Sequence, residues 1–273
     1  MRFKKIHLRE DDPDIFMDAY IPTPHWEIKL SCRKAVIVIP GGGYRCLSGR
    51  EGDPVARKFL GEGFVTFVLS YSIKEKAIPP RQLQDASLAI EHIRQNAEEY
   101  GVDPDNIIVC GFSAGGHLAA SIGTLWCEDF AKTSPEMEYG INRPNGMILC
   151  YPVINVLRDM TTSDHQVGIR YGDPDTEHGA KLCQLDLQVK AGITPPAYIW
   201  TTHEDTLVPP ENSINFALAM QREKIPYELH VYNHGWHGLA LATPEVGRED
   251  GTGVFPHDIA TWIDEAIEWV KAL

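Results

Sequence analysis

The chain has 273 residues, 43% hydrophobic and 23% charged, a balance typical of a folded globular protein and not of a disordered one. Its formal net charge of −13 repels phosphate backbones and anionic membrane surfaces, so neither nucleic acid nor a membrane is expected as a partner. Six cysteines lie scattered without a C-x-x-C pair, and no stretch approaches the roughly 18 apolar residues of a membrane span. We therefore expect a reduced, cytoplasmic protein without a signal peptide.

Short apolar segments alternate with longer helical patterns, and no linker or repeat interrupts them, so we expect a single domain over residues 1–273. Apolar runs predict strands, in chain order, at 35–39, 64–69, 107–110, 146–150, 197–202 and 227–232. Apolar spacing and end signals predict helices near 54–60, from about 80 to 100, from 114 to about 123, at 211–222 and from 257 to the C-terminus. This alternation indicates an α/β fold with a mostly parallel sheet and helices on both faces.

Residues 155–191 depart from this alternation. They have no clean periodicity and carry many polar side chains. Because open α/β sheets bind ligands beyond the carboxyl ends of their strands, we predict a small cap-like excursion over that edge.

Ser113 is the candidate nucleophile. It stands at the centre of a G-x-S-x-G sequence, between the predicted strand 107–110 and a helix rich in small residues. A sharp strand-to-helix turn strains the backbone at the serine and tolerates only small neighbours, as Gly111 and Gly115 are. The alternative is a phosphate-binding loop, which would require a G-x-x-x-x-G-K-[ST] pattern, and no lysine follows here.

A serine hydroxyl needs a base that removes its proton. His237 follows the predicted strand 227–232 between two glycines, where an imidazole can reach inward. His234 lies in the same loop, and the residues alone do not rank the two. His117 is one helical turn beyond Ser113, so we interpret it as a packed or supporting histidine.

The base in turn needs an acid that orients it. Asp205 follows the predicted strand 197–202, with Glu204 as its nearest rival. A serine, aspartate, histidine order along the chain is that of α/β-hydrolases. The alternative interpretation of Asp205 is a helix cap or a surface carboxylate.

The glycines after Pro40 predict an oxyanion hole, because backbone N–H groups without side chains can approach a carbonyl oxygen closely. We assign its donors to Gly42, Gly43 and Ala114. A flexible loop is the other interpretation of these glycines.

Four aromatic residues are candidate walls of a substrate pocket, each of them equally explained by core or rim packing: Tyr44, Trp126, Tyr151 and Trp236. His230, His234 and His237 lie close in sequence but do not form H-E-x-x-H, so we predict no metal and no cofactor.

Taken together, six segments resemble the bacterial esterase/lipase branch of the α/β-hydrolases, near its hormone-sensitive-lipase-like and acetyl-xylan-esterase-like members. They are VIPGGGY at 38–44, EGDPVA at 51–56, GFSAGGHLAAS at 111–121, YPVI at 151–154, HEDTLVPPENS at 203–213 and HGWHGLALA at 234–242. The lipase-like members usually carry a histidine where Pro40 stands, so the chain is more similar to the acetyl-xylan-esterase-like group.

The resemblance implies an α/β-hydrolase fold, His237 as the base, and hydrolysis of short acyl esters through an acyl-enzyme. Acetyl groups on sugars or xylo-oligosaccharides are the implied substrates, and a homo-oligomer is compatible with the class. Two alternatives remain on the same fold. One is an arylformamidase-like or peptidase-like amide hydrolase, and the other is a catalytically inactive binding protein.

Overall fold

The computed structural model describes residues 1–27, 32–158, 171–247 and 258–273. Within these ranges the strands are β1 (Arg2–His7), β2 (Phe16–Ile21), β3 (Arg33–Ile39), β4 (Val65–Ser70), β5 (Val102–Phe112), β6 (Gly146–Cys150), β7 (Ala197–Thr202) and β8 (Tyr227–Tyr232). They form one eight-stranded sheet in the order β1-β2-β4-β3-β5-β6-β7-β8. Strands β3 to β8 pair in parallel, while β1 and β2 are antiparallel to their neighbours.

Helices cover both faces of this sheet. Their bounds are α1 (Asp53–Gly61), α2 (Arg81–Gln95), α3 (Ala97–Tyr100), α4 (Ala114–Leu125), α5 (Glu177–Leu182), α6 (Glu211–Arg222) and α7 (Trp262–Ala272). Side chains such as Ile37 and Leu149 pack with α2, α4 and α6 on one face, and Val38 and Ile148 pack with α1 and α7 on the other. Each central strand is therefore buried on both sides, which is why its sequence is continuously apolar.

The predicted fold class is confirmed, and β6, β7, β8 and α6 have their predicted bounds. The helix predicted over 80–100 is instead interrupted at Asn96, whose side chain donates to the carbonyl of His92 and ends α2. Within the described residues a 3₁₀ turn at Ile259–Thr261 precedes the last helix, which begins at Trp262. The predicted start at residue 257 lies outside the described residues.

The hairpin of β1 and β2 was not predicted from the sequence. On β1 only Ile6 is buried, because this strand lies at the edge of the sheet and presents charged side chains to solvent. Strand β2 alternates more clearly, with Met17, Ala19 and Ile21 facing the core.

The predicted excursion over 155–191 is described except for residues 159–170. The carbonyl of Ile154, just beyond β6, accepts from the N–H of Leu185, and the carbonyl of Cys183 accepts from the N–H of Val156. This segment, with α5, therefore returns to the carboxyl end of the sheet. No helix in the described part of the chain is long and apolar enough to cross a bilayer.

Candidate active site

Ser113 lies in the turn between β5 and α4 with φ 52° and ψ −114°, a backbone conformation that side-chain-bearing residues rarely adopt. The flanking glycines let the strand and helix approach. A Cβ on Gly111 would stand 2.2 Å from the carbonyl oxygen of Gly115, and one on Gly115 would stand 2.1 Å from that of Ile39. Only glycine fits at both positions, so the two glycines permit the tight turn that carries the partly exposed Ser113.

His237 joins Ser113 to Asp205. Its Nε2 lies 2.7 Å from Ser113 Oγ, and its Nδ1 lies 2.7 Å from Asp205 Oδ2. The Asp205 side chain is fully buried, whereas that of His237 is 13% exposed. Because a carboxylate only accepts, Nδ1 carries the ring proton and Nε2 presents its lone pair to the serine hydroxyl.

Asp205 is itself fixed by the chain that follows it. Its second oxygen, Oδ1, accepts from the N–H groups of Leu207 at 3.0 Å and Val208 at 2.9 Å. The carboxylate thus has a partner on each oxygen, as a buried charge requires. The loop after β7 holds the acid at one orientation before α6 begins.

The rival residues lie elsewhere. His234 is 62% exposed in its side chain, and its Nδ1 is 3.4 Å from Glu204 Oε1. Glu204 also accepts from the N–H of Gly235 at 3.0 Å, so it braces the histidine loop from outside. His230, on β8, lies 3.5 Å from Glu228 and 3.4 Å from Glu265. In the described ranges, no group of three or more potential metal-binding side chains occurs.

His117 is packed under the site, as predicted. Its Nδ1 accepts from the Tyr44 hydroxyl at 2.8 Å, and its Nε2 donates to the carbonyl of Leu182 at 2.9 Å. Burial lowers the pKa of His117 to about 4, so the ring is neutral. It links α4, the loop of Gly41, Gly42 and Gly43 (the glycine loop) and α5.

The glycine loop lies directly against the serine. A Cβ on Gly41 would stand 3.0 Å from Ser113 Cβ. Gly42 and Gly43 have φ values of 130° and 61°, which favour glycine. Among the described residues, no protein acceptor takes the N–H of Gly42, Gly43 or Ala114, so these donors remain available.

Three of the four candidate wall residues are buried, the core packing that was the alternative to a pocket wall. Tyr44 and Tyr151 are almost wholly buried beneath the site, the former on His117 and the latter with its ring edge-on to His237, 5.0 Å between centroids. Trp126 is also buried, near the distal end of α4, where its Nε1 donates to the carbonyl of Ile193. Trp236 alone of the four is open, with 40% of its surface exposed beside His237.

Sequence reasoning missed Arg50 and Glu51. Both lie in a short 3₁₀ turn, Gly49–Glu51, just before α1, and both contact the site loops. The segment EGDPVA at 51–56 was the only signal for Glu51, and Arg50 lies just outside it. Polar residues of a turn give no indication of what they contact in space.

A nucleophile, an oriented base and free N–H donors beside a reachable serine are the parts that acyl transfer needs. With its parallel sheet and strand-to-helix serine turn, the chain has the α/β-hydrolase fold. The BD-FAE family model matches residues 17–220, more than half of the chain. The chain belongs to the BD-FAE family.

Three similar proteins illustrate the relationship. Endo-1,4-beta-xylanase B of Butyrivibrio fibrisolvens is 38% identical over 216 residues, 78% of this chain and 33% of the relative. Acetylxylan esterase of Xylanibacter ruminicola is 32% identical over 217 residues, 77% of this chain and 42% of the relative. The crystal structure of an acetyl ester-xyloside bifunctional hydrolase from Caldicellulosiruptor lactoaceticus has a TM-score of 0.81 and 31% identity, covering 99% of this chain and 96% of that one.

The chain thus spans less than half the length of these two curated relatives, whereas it matches the solved hydrolase over nearly its whole length.

Proposed function

We propose that this chain is a serine esterase that removes acetyl and other short acyl groups from acetylated sugars or xylo-oligosaccharides, with Ser113, His237 and Asp205 as its catalytic residues. One observation carries the proposal. The His237 ring makes two 2.7 Å contacts, one with the serine hydroxyl and one with a buried carboxylate. This is the geometry that a serine nucleophile requires.

In the first half of the reaction, Ser113 Oγ attacks the ester carbonyl carbon while His237 Nε2 takes the hydroxyl proton. The carbonyl oxygen becomes negative and accepts hydrogen bonds from the N–H groups of Ala114 and of Gly42 or Gly43. Each such donor contributes about 3–4 kcal/mol to the transition state. Asp205 stabilises the charged imidazolium. Collapse of the tetrahedral intermediate breaks the bond to the alcohol, which leaves with the proton from His237.

In the second half, water replaces the alcohol. His237 removes a proton from that water as its oxygen attacks the acyl-enzyme, and the same proton returns to Ser113 Oγ when the acid is released. The histidine therefore acts as base and then as acid in each half.

A short acyl group is supported by the names of two similar proteins, an acetylxylan esterase and an acetyl ester-xyloside bifunctional hydrolase. Tyr44, His117 and Tyr171 pack edge-on against one another beneath the glycine loop, at centroid distances of 4.8 to 5.8 Å.

The alcohol side supports a sugar. Trp236, the residue before His237, is 40% exposed, and exposed aromatic faces suit the apolar side of a pyranose ring. All three similar proteins described above carry xylan or xyloside in their names.

All six cysteines are free, which fits the proposed reducing compartment, the cytoplasm.

The test is a substrate panel with the purified chain. Acetylated xylo-oligosaccharides, aryl acetate, aryl octanoate, an N-formyl anilide and a dipeptide anilide are compared by kcat/KM. We expect the two acetyl esters to lead. A higher kcat/KM for either amide would favour the amide-hydrolase alternative and overturn the proposal.

Two variants define which residues act. Ser113→Ala should lower kcat by about 10⁴–10⁶. Trp236→Ala should raise KM for the acetylated oligosaccharide and leave KM for a small alkyl acetate unchanged. An equal change in KM for both substrates would contradict the proposal that the alcohol part of the substrate is a sugar.

A further inference from the structure

Glu51 is a buried carboxyl group with no part in the proton transfers above. Only 3% of the residue is exposed. Its Oε2 accepts from the N–H of Gly41 at 2.9 Å, and its Oε1 accepts from the hydroxyl of Tyr151 at 2.7 Å. Burying a carboxyl group is unfavourable by several kcal/mol unless such partners satisfy it. The two hydrogen bonds therefore explain why a carboxyl group can be buried at this position.

The first partner, Gly41, belongs to the glycine loop. Its backbone lies between Glu51 and the serine turn, since a Cβ there would stand 2.8 Å from Glu51 Oε2 and 3.0 Å from Ser113 Cβ. With its own N–H bound to Glu51, the Gly41 peptide plane is fixed. The next two peptides, which carry the Gly42 and Gly43 N–H groups, then start from a fixed orientation.

The second partner, Tyr151, extends the link to the histidine loop. Its hydroxyl donates to Glu51 and accepts from the N–H of Ala240 at 2.9 Å. Its ring packs edge-on against His237, and its φ of 38° is strained for a residue with a side chain. Burial and the adjacent Glu51 raise the pKa of Tyr151 well above its ordinary value, so it remains a donor.

Arg50, the preceding residue, holds the same loop from the other side. Its Nη1 donates to the carbonyl of Gly238 at 2.9 Å, directly after His237, and its Nε donates to that of Val246 at 2.6 Å. Two adjacent residues of one 3₁₀ turn thus contact both loops that meet above Ser113.

We propose that Arg50 and Glu51 are positioning residues, an inference that rests on the proposed esterase function. They hold the glycine loop and the histidine loop in a fixed arrangement over Ser113. Neither touches the substrate. Their effect is on geometry, and a displacement of about 1 Å at a reacting group can lower a rate by about 10²-fold. Because the oxyanion forms only during attack, the loss should fall on kcat and not on KM.

Glu51→Gln is the sharpest variant. It keeps the shape but replaces one acceptor oxygen by an NH₂ group, which faces either the Gly41 N–H or the Tyr151 hydroxyl, both donors. We expect kcat on an aryl acetate to fall by about 10–10²-fold with KM changed by less than about threefold. Glu62→Gln, which removes an exposed carboxylate paired with Lys271, is the matched control and should be unchanged.

A transition-state analogue separates positioning from general damage. An aryl trifluoromethyl ketone adds to Ser113 and places an oxyanion at the glycine loop. Its affinity should weaken in Glu51→Gln by the same factor as kcat/KM, while the melting temperature stays within a few degrees. A folded Glu51→Gln variant with wild-type kcat, or with reduced kcat and unaltered analogue affinity, would overturn the proposal.

Tyr151→Phe decides the question if Glu51→Gln does not fold. It keeps the ring against His237 and removes the hydroxyl link, so we expect a loss of about 3–10-fold in kcat, the equivalent of one neutral hydrogen bond. Unchanged kcat in this variant would refute the link. Fluorophosphonate labelling of wild-type Ser113 is measured first, because its absence would contradict the proposed function itself and not the roles of Arg50 and Glu51.

Discussion

His117 makes the stability of this protein depend on pH in a way that the structure specifies. The ring is buried between the Tyr44 hydroxyl and the carbonyl of Leu182. A proton on Nδ1 would oppose the hydroxyl that already donates there. Burial lowers the pKa of His117 to about 4, and the hydrogen bond to the Leu182 carbonyl opposes this shift only in part.

The sign follows from proton binding in the two states. An unfolded chain has an ordinary histidine pKa of about 6.5. Between pH 6.5 and pH 4 the unfolded state therefore binds a proton that the folded state does not, and the free energy of unfolding falls as the pH falls. Each pH unit in this window contributes about 1.4 kcal/mol, so the total loss is about 3 kcal/mol by pH 4. Above pH 7 the effect vanishes.

Urea unfolding of the wild type and of His117→Gln at pH 7.5, 6 and 5 measures this effect. Other titrating groups are common to both proteins, so their difference isolates residue 117. We expect the wild type to lose about 2 kcal/mol more than the variant between pH 7.5 and pH 5. Parallel pH profiles of the two proteins would refute the assignment of His117 as a buried neutral ring.

Three further outcomes follow from the site. Asp205→Asn should lower kcat on an aryl acetate by about 10³–10⁴, because an amide donor facing Nδ1 selects the wrong histidine tautomer; a loss under tenfold would contradict this role. Gly115→Ala should lower the free energy of unfolding by at least about 2 kcal/mol, since its Cβ meets the Ile39 carbonyl, whereas Gly61→Ala in open space should not destabilise. The free energy of unfolding of Ser113→Gly should exceed that of Ser113→Ala by about 1 kcal/mol, because glycine relieves the backbone strain at this turn; the reverse order would contradict that strain.

Much of the fold could be predicted because local sequence and tertiary structure agree there. Parallel strands buried on both faces give continuous apolar runs, so β6 and β7 were predicted with their observed bounds. The parallel edge strand β8 is only partly buried and was also predicted with its observed bounds. The candidate triad could be proposed for the same reason. Ser113, Asp205 and His237 each follow such a strand, and the carboxyl ends of parallel strands meet at one edge.

The remainder depends on contacts that sequence spacing does not encode. Strand β1 could not be predicted, because Lys4 and Lys5 break its apolar pattern and an edge strand needs no apolar alternation. Tyr44 and Tyr151 have the residue type of pocket walls, but both are buried, with positive φ angles that the sequence gives no sign of. Arg50 belongs to a polar turn, and only the folded chain brings it to the histidine loop.

Trapping the acyl-enzyme tests the central claim most directly. The wild type is mixed rapidly with an aryl acetate, quenched in acid, and examined by intact-mass and peptide mass spectrometry, with Ser113→Ala treated in parallel. We expect one acetyl group per chain, on the peptide that contains Ser113, and none on the variant. Turnover without an acetylated intermediate, or an acetyl group at another residue that Ser113→Ala retains, would contradict nucleophilic attack by this serine.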